Sequence, residues 1–320
     1  MLFHHSSPTS SLTSDGVSRM TLVQQQNNVS LSSVTYSGRF APSPTGPLHF
    51  GSLITAVASY CDAKAHQGQW FVRIEDTDIP RIYPGSESHI LQCLDAFEFE
   101  PDANIIFQKD RLDIYEQVIE QLHQQHLVYA CQCKRKMLGS NHIYMGTCRD
   151  LALPFQNQAI RLKVSDQIIC FDDILQGQHC SNLHDDLGDF VLKRRDGIIN
   201  YQLAVVVDDF LQGITHVIRG SDLLDNTERQ IWLGQCLNYP ALQYMHLPLA
   251  MNDRGSKLSK QNHAEALNMQ YAPQLLAQAL SALGQPTVDI DQPYKMLIQA
   301  VSQWNRTRIP KGTKMNGIYQ

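Results

Sequence analysis

The chain has 320 residues, 43% of them hydrophobic and 18% charged, with a formal net charge of -5 at pH 7. That is the composition of a globular protein of two or three domains, with no apolar run near the roughly 18 residues of a membrane span. The acidic balance excludes nucleic-acid binding through an overall positive field, so any such partner must meet a local patch.

Residues 1–35 are rich in Ser, Thr, Gln and Asn, lack the apolar stretch of a signal peptide, and are expected to be disordered, with Met20 an alternative start. The protein is therefore read as cytoplasmic. Its eight cysteines are expected to be reduced, as fillers or metal ligands rather than a disulfide framework.

Val34-Thr35-Tyr36 is a short strand candidate. The loop "RFAPSPTGPLHFGS" from Arg39 to Ser52 then leads into a segment, Leu48 to His66, with helical spacing and Gly68 as its stop. Trp70 to Ile74 is β-rich and ends in Glu75-Asp76-Thr77-Asp78, completing a βαβ unit. Helices are expected over Glu87–Phe97 and Leu112–Leu127, followed by a cysteine-bearing loop over 131–148 and short strands from Ala159 to Val191. Tyr201 to Val207 reads as an apolar strand capped by Asp208-Asp209, and Thr215 to Ile218 as a second strand. In the tail, Pro273 opens a helix ending at Gly284, and another begins near Pro293.

The pattern predicts an α/β fold: a doubly wound, Rossmann-like parallel sheet built from 36–110 and 200–260. It is split by an inserted zinc-bearing α+β subdomain at 111–199 and followed by a short helical C-terminal piece at 261–320.

In such a fold the loop after the first strand lies at the carboxyl edge of the sheet, where ligands bind. The following helix N-terminus suits phosphate, glycines let backbone approach a nucleotide, and His49 can donate to a phosphate oxygen. Lys257-Leu258-Ser259-Lys260 follows a basic, glycine-bearing loop, and lysines brought to a triphosphate stabilise its charge. Cys131, Cys133 and Cys148 supply three thiolates and leave one tetrahedral zinc position, for which general ligand chemistry favours His142. Cys61, Cys93, Cys170, Cys180 and Cys236 read as core filler. The pairs Asp172-Asp173, Asp185-Asp186 and Asp208-Asp209 read as turns and solvated edges, and no protein ligand for Mg²⁺ is assigned.

The sequence HFGS (His49–Ser52) is similar to the HIGH signature of class I aminoacyl-tRNA synthetases, and KLSK (Lys257–Lys260) to their lysine loop. "VRIEDTD", "YQLAVVVDD" and "HVIRGSDLL" extend the resemblance to the glutamyl branch, from about residue 36 to 265. Where that branch carries a long anticodon-binding region, only residues 261–320 follow Lys260. With the cysteine loop, this resembles the glutamyl-queuosine tRNA(Asp) synthetase family.

The resemblance implies activation of L-glutamate by ATP with Mg²⁺, without tRNA for that step, and transfer to the queuosine base in the anticodon of tRNA(Asp). It places glutamate at Arg39, Phe40, Ala41, Pro42, Ser43, Glu75, Tyr201 and Arg219. ATP falls at His49, Gly51, Lys257 and Lys260, with His49 and Lys260 catalytic. One structural zinc is implied at Cys131, Cys133, Tyr144 and Cys148, Tyr144 competing with His142 for the fourth place. Chemically, Glu75 suits the substrate ammonium, and Arg39 and Arg219 its carboxylates.

Two rivals remain open: a truncated or discriminating glutamyl-tRNA synthetase charging a tRNA 3′ end, and a catalytically silent paralogue. A monomer is expected. Candidate tRNA contacts are Lys134, Arg135 and Lys136, or Arg306, Arg308, Lys311 and Lys314.

Overall fold

The computed structural model describes residues 35–134, 137, 143–251 and 265–315. The expected disordered leader (but for Thr35), Arg135, Lys136, His142 and the Lys257–Lys260 loop lie outside the described residues.

Strand β1 (Ser37–Phe40) pairs in parallel with β2 (Gln69–Ile74), the two connected through α1 (Phe50–Ala65). The first strand thus begins just beyond the expected Val34-Thr35-Tyr36. Gly68 is required at the return from α1, because a Cβ there would sit 2.3 Å from the Tyr36 carbonyl oxygen, which accepts from the Gln69 N–H at 2.8 Å. After α2 (Ser86–Ala96), β3 (Ile106–Phe107) pairs in parallel with β2.

Next come α3 (Leu112–Gln124), β4 (Val128–Cys131), β5 (Ala159–Leu162), β6 (Ile168–Asp173), β7 (Gly177–Asn182) and β8 (Phe190–Lys193). Strands β4, β5 and β8 form a separate antiparallel sheet. The chain continues with α4 (Tyr201–Leu211), β9 (His216–Gly220), α5 (Thr227–Cys236) and β10 (Gln243–Leu247). A second parallel run, β9-β10-β6, is edged by antiparallel β7. It meets β1 where Thr215 N–H donates to the Ser37 carbonyl and Ser37 N–H to Thr215 Oγ1, each at 2.9 Å.

Successive strand residues face opposite sides of the sheet. Trp70, Val72, Ile218 and Met245 enter a core with α1, α6 (Ala272–Ala282) and α7 (Pro293–Ser302). Phe71, Val217 and Tyr244 pack on the other side with Ile214 and Ile231. A further core joins α3, α4 and α5 to the β4-β5-β8 sheet. Short β11 (Leu249–Ala250) pairs in parallel with β12 (Lys314–Met315), bringing Lys314 and Met315 beside the carboxyl edge of β10. No described helix is long and apolar enough to cross a membrane.

Three expectations are corrected. Tyr201–Val207 is not a strand but the start of helix α4, which the Asn200 side chain caps by accepting from Gln202 N–H at 3.0 Å. A short apolar run fits a buried strand or a buried helix equally well, and here most of the helix is enclosed, so no polar face betrays its period. Asp208 and Asp209 are not a solvated cap: both are buried within α4, as is Asp173 at the end of β6. Cys170 and Cys180 are not core filler; they are exposed and form a disulfide across directly opposed positions of the β6–β7 hairpin. Of the candidate tRNA contacts, Arg306 is partly buried, with Nε and Nη2 gripping Asp62 at 3.1 and 3.0 Å, while Lys134, Arg308, Lys311 and Lys314 are exposed.

Candidate functional site

The carboxyl ends of β1, β2, β9 and β10 open into a cavity of about 550 Å³. Arg39, Phe40, Ala41, Pro42, Ser43, His49, Gly51, Glu75, Tyr201 and Arg219 all line it. Every described residue that the sequence suggested for glutamate or ATP is therefore gathered around one space.

His49 caps α1 in an extended conformation, and its Nδ1 accepts from Ser52 N–H at 3.3 Å. A neutral His49 then carries its ring proton on Nε2, the nitrogen that can donate to an anion. The helix N-terminus at this position adds partial positive charge.

Below the cavity, Arg39 Nε and Arg73 Nη2 donate to the same Asp209 oxygen at 3.1 and 2.9 Å. Arg73 also reaches Glu75 at 3.3 Å and Gln212 at 2.7 Å. Burial alone would raise the Asp209 carboxyl, but Arg39 and Arg73 outweigh it and hold the group below the usual carboxylate range. Glu75 stays raised because burial outweighs the help of Arg73 and Arg39. A cationic group placed beside Glu75 would relieve that cost.

Arg219 is the most constrained side chain of the site. Three short bonds come from residues behind the cavity: Gln230 Oε1 at 2.7 Å, Thr227 Oγ1 at 2.9 Å and His246 Nε2 at 3.0 Å. Two longer ones, both 3.4 Å, run to Tyr201 Oη and the Leu223 carbonyl, whose residues line the cavity. Because Nε2 of His246 accepts from Arg219, a neutral ring has its proton on Nδ1 and donates to Asp173 Oδ2 at 2.6 Å. Burial depresses His246, keeping it neutral. For Asp173, burial is overcome by the bonds from His246 and the Gln176 and Leu175 N–H groups, so its carboxyl titrates low.

Arg73, Asp209, Thr227, Gln230, His246 and Asp173 were given no role from sequence. Arg73 stands inside the quoted "VRIEDTD" and Asp209 ends the quoted "YQLAVVVDD", but nothing local marks the others, whose partners are distant along the chain.

Away from this cavity, the end of β4 brings Cys131 beside Cys133 and Cys148, with their sulfur atoms all within 4.8 Å of one another. Tyr144 Oη lies 3.3 Å from Cys131 Sγ and 3.5 Å from Cys133 Sγ, and accepts from Cys148 N–H at 2.9 Å. The Arg161 guanidinium packs 4.0 Å over the Tyr144 ring, fixing its position. Zinc–sulfur bonds of about 2.3 Å place tetrahedral ligand sulfurs roughly 3.8 Å apart, so three thiols this close together fit a metal of that kind.

The parallel α/β sheet with a ligand cavity at its carboxyl edge is the architecture of class I tRNA synthetases, and residues 36–292 match the family model "tRNA synthetases class I (E and Q), catalytic domain". Within that class, the chain belongs to the glutamyl-Q tRNA(Asp) synthetase family. It is 72% identical over 284 residues to the glutamyl-Q tRNA(Asp) synthetase of Acinetobacter baylyi, covering 89% of this chain and 97% of that one. It is 48% identical over 288 residues to that of Neisseria meningitidis serogroup B, covering 86% and 98%. Among solved structures, a glutamate tRNA ligase from Elizabethkingia meningosepticum in complex with its amino acid superposes with a TM-score of 0.75 at 26% identity. That match covers 88% of this chain and 66% of the ligase.

Proposed function

We propose that the protein activates L-glutamate with ATP to glutamyl-adenylate and transfers the glutamyl group to the queuosine base of tRNA(Asp), the substrate named for its 72%-identical relative. The observation that carries this reading is the division of Arg219's bonds. Its three short bonds hold the guanidinium from behind, and its two 3.4 Å bonds face the cavity. The glutamate side-chain carboxylate replaces those two, gaining a bidentate, charge-assisted pair with no reorientation of the arginine. Glu75 receives the substrate ammonium and Arg39 assists the α-carboxylate.

An oxygen of that α-carboxylate then attacks the α-phosphorus, and the bond to pyrophosphate breaks. His49 Nε2–H donates to the triphosphate at the head of α1, and Lys257 and Lys260 supply further positive charge. Mg²⁺ accompanying ATP would supply further shielding of the phosphate charge, with no protein ligand assigned to it. In the second half-reaction an acceptor hydroxyl of the queuosine attacks the glutamyl carbonyl carbon, and AMP leaves. Cys131, Cys133, Cys148 and Tyr144 would hold one zinc, which with every tetrahedral position filled cross-links the loop and takes no part in the chemistry.

Glutamate-dependent exchange of pyrophosphate into ATP in the absence of tRNA tests the activation step. Exchange with glutamate and none with glutamine or aspartate is the expected result, and exchange only after adding tRNA would contradict this reading.

A further inference from the structure

We propose that the segment Gly312–Met315 is a positioning element for ATP: it holds β11, the strand that walls the substrate cavity and leads into the lysine loop. This rests on the assignment of ATP to that cavity made above.

β11 needs a holder because of Pro248. The β9–β10 pairing ends with Leu247 opposite Gly220, and Pro248 has no N–H with which to continue a ladder. Among the described strands, β11 pairs with β12 alone. Yet Pro248, Leu249 and Ala250 line the substrate cavity together with His49 and Gly51, and Lys257 and Lys260 follow soon after in the chain. A two-residue strand beyond a proline has too few bonds of its own to fix its course, so its alignment comes from outside.

The holder is itself gripped from several sides. Leu249 N–H donates to the Thr313 carbonyl and Met251 N–H to the Met315 carbonyl, each at 2.9 Å. The Thr313 carbonyl also accepts from Ser221 Oγ at 2.9 Å, and Ser221 stands between Gly220 and Asp222 of the cavity wall. At the β6–β7 turn, Gln176 Nε2 donates to the carbonyls of His246 and Gly312 at 2.7 and 2.9 Å, tying the segment to β10. The Met315 side chain is buried, with Ala250, in the core shared by α1, α6 and α7. Beyond the lysine loop the chain is fastened again, where Leu267 N–H donates to the Leu48 carbonyl at 2.9 Å, just ahead of His49.

The residues assigned to glutamate are held separately. Arg39, Glu75, Tyr201 and Arg219 stand on or beside β1, β2, α4 and β9, and the partners given above for Arg39, Glu75 and Arg219 all lie outside Gly312–Met315. Loss of the segment's grip should therefore separate the two substrates, weakening ATP and sparing glutamate.

The principal variant is Met315→Lys, which places a charge at a buried apolar position and draws β12 out while leaving the rest of the tail in place. A chain stopped after Lys311 is the second. A non-hydrolysable ATP analogue is titrated into each folded protein, and pyrophosphate exchange is followed across ATP and glutamate concentrations. We expect analogue affinity to fall and the KM for ATP to rise by about tenfold in both, with the KM for glutamate within twofold of the parent and Met315→Leu indistinguishable from it. Ser221→Ala, which removes one bond to Thr313 and disturbs no core contact, should raise the KM for ATP at least threefold and serves if the other two fail to fold. Parental ATP affinity in the folded variants overturns the proposal, as does an equal rise in both KM values, which would mean general loosening of the cavity. A parent that binds the analogue without glutamate-dependent exchange contradicts the activation reading alone, and the titrations still decide the role of Gly312–Met315; a parent that does not bind the analogue overturns both.

Discussion

Replacing His246 by leucine should weaken glutamate binding although this side chain does not line the substrate cavity. His246 is fully buried and accepts the Arg219 Nε–H at 3.0 Å. Leucine leaves that N–H of a buried cation unmatched, a cost of about 1–3 kcal/mol. Asp173 loses its bond from the ring but keeps the N–H groups of Leu175, Gln176 and residue 246, at 3.0, 2.9 and 3.0 Å. The damage therefore falls mainly on Arg219, which would rotate to find an acceptor and abandon its alignment to the cavity. At roughly 1.4 kcal/mol per tenfold, the KM for glutamate should rise about tenfold to a hundredfold. Exchange rates measured across glutamate concentrations at saturating ATP read this directly, and kcat should change far less than KM. His246→Gln, whose amide can accept from Arg219 and donate to Asp173, should recover most of the loss. A folded His246→Leu protein with KM within twofold of the parent would refute the idea that Arg219 is held from behind.

Lys260→Ala should slow exchange by at least a hundredfold while glutamate binding, measured by titration, persists; equal rates would remove the lysine loop from the mechanism. Elemental analysis should find one zinc per chain, lost in Cys131→Ser; a folded, zinc-free parent that tolerates both Cys131→Ser and Cys133→Ser would contradict a structural zinc. Stability should fall with acidification. Burial depresses His246 and His216 from 6.5, so below that pH the unfolded chain binds protons that the folded chain refuses. Asp173 and Asp209, held below 3.8, extend the loss at lower pH, and Glu75, raised above 4.5, opposes it. The thermal midpoint should be highest above pH 6.5 and decline towards pH 5, and a flat profile over that interval would count against buried neutral histidines.

Much of the substrate site could be read because its residues cluster in short segments at strand ends. Arg39 to Ser43, His49 and Gly51 fall within one short stretch from the end of β1 to the start of α1, and Glu75 directly follows β2. What holds them could not be read in the same way. Asp209 binds Arg39 and Arg73 across 170 and 136 positions, and His246 meets Asp173 across 73. No local pattern announces such pairs. The acidic pair Asp208-Asp209 was misleading for the same reason: an aspartate buried against two arginines looks identical, in sequence, to one facing water. The Tyr201–Leu211 helix was misassigned because its apolar run has no exposed face to reveal a 3.6-residue period. The Cys170–Cys180 pair became visible only once β6 and β7 were in register.

The acceptor is the central claim, and it can be tested on tRNA from which the 3′-terminal adenosine has been removed. Labelled glutamate supplied with ATP should attach to such trimmed tRNA(Asp) when it contains queuosine, and should not attach to the same tRNA without queuosine. Label that appears on tRNA(Glu) and disappears when its 3′ adenosine is removed would contradict the account and establish an enzyme that charges tRNA ends.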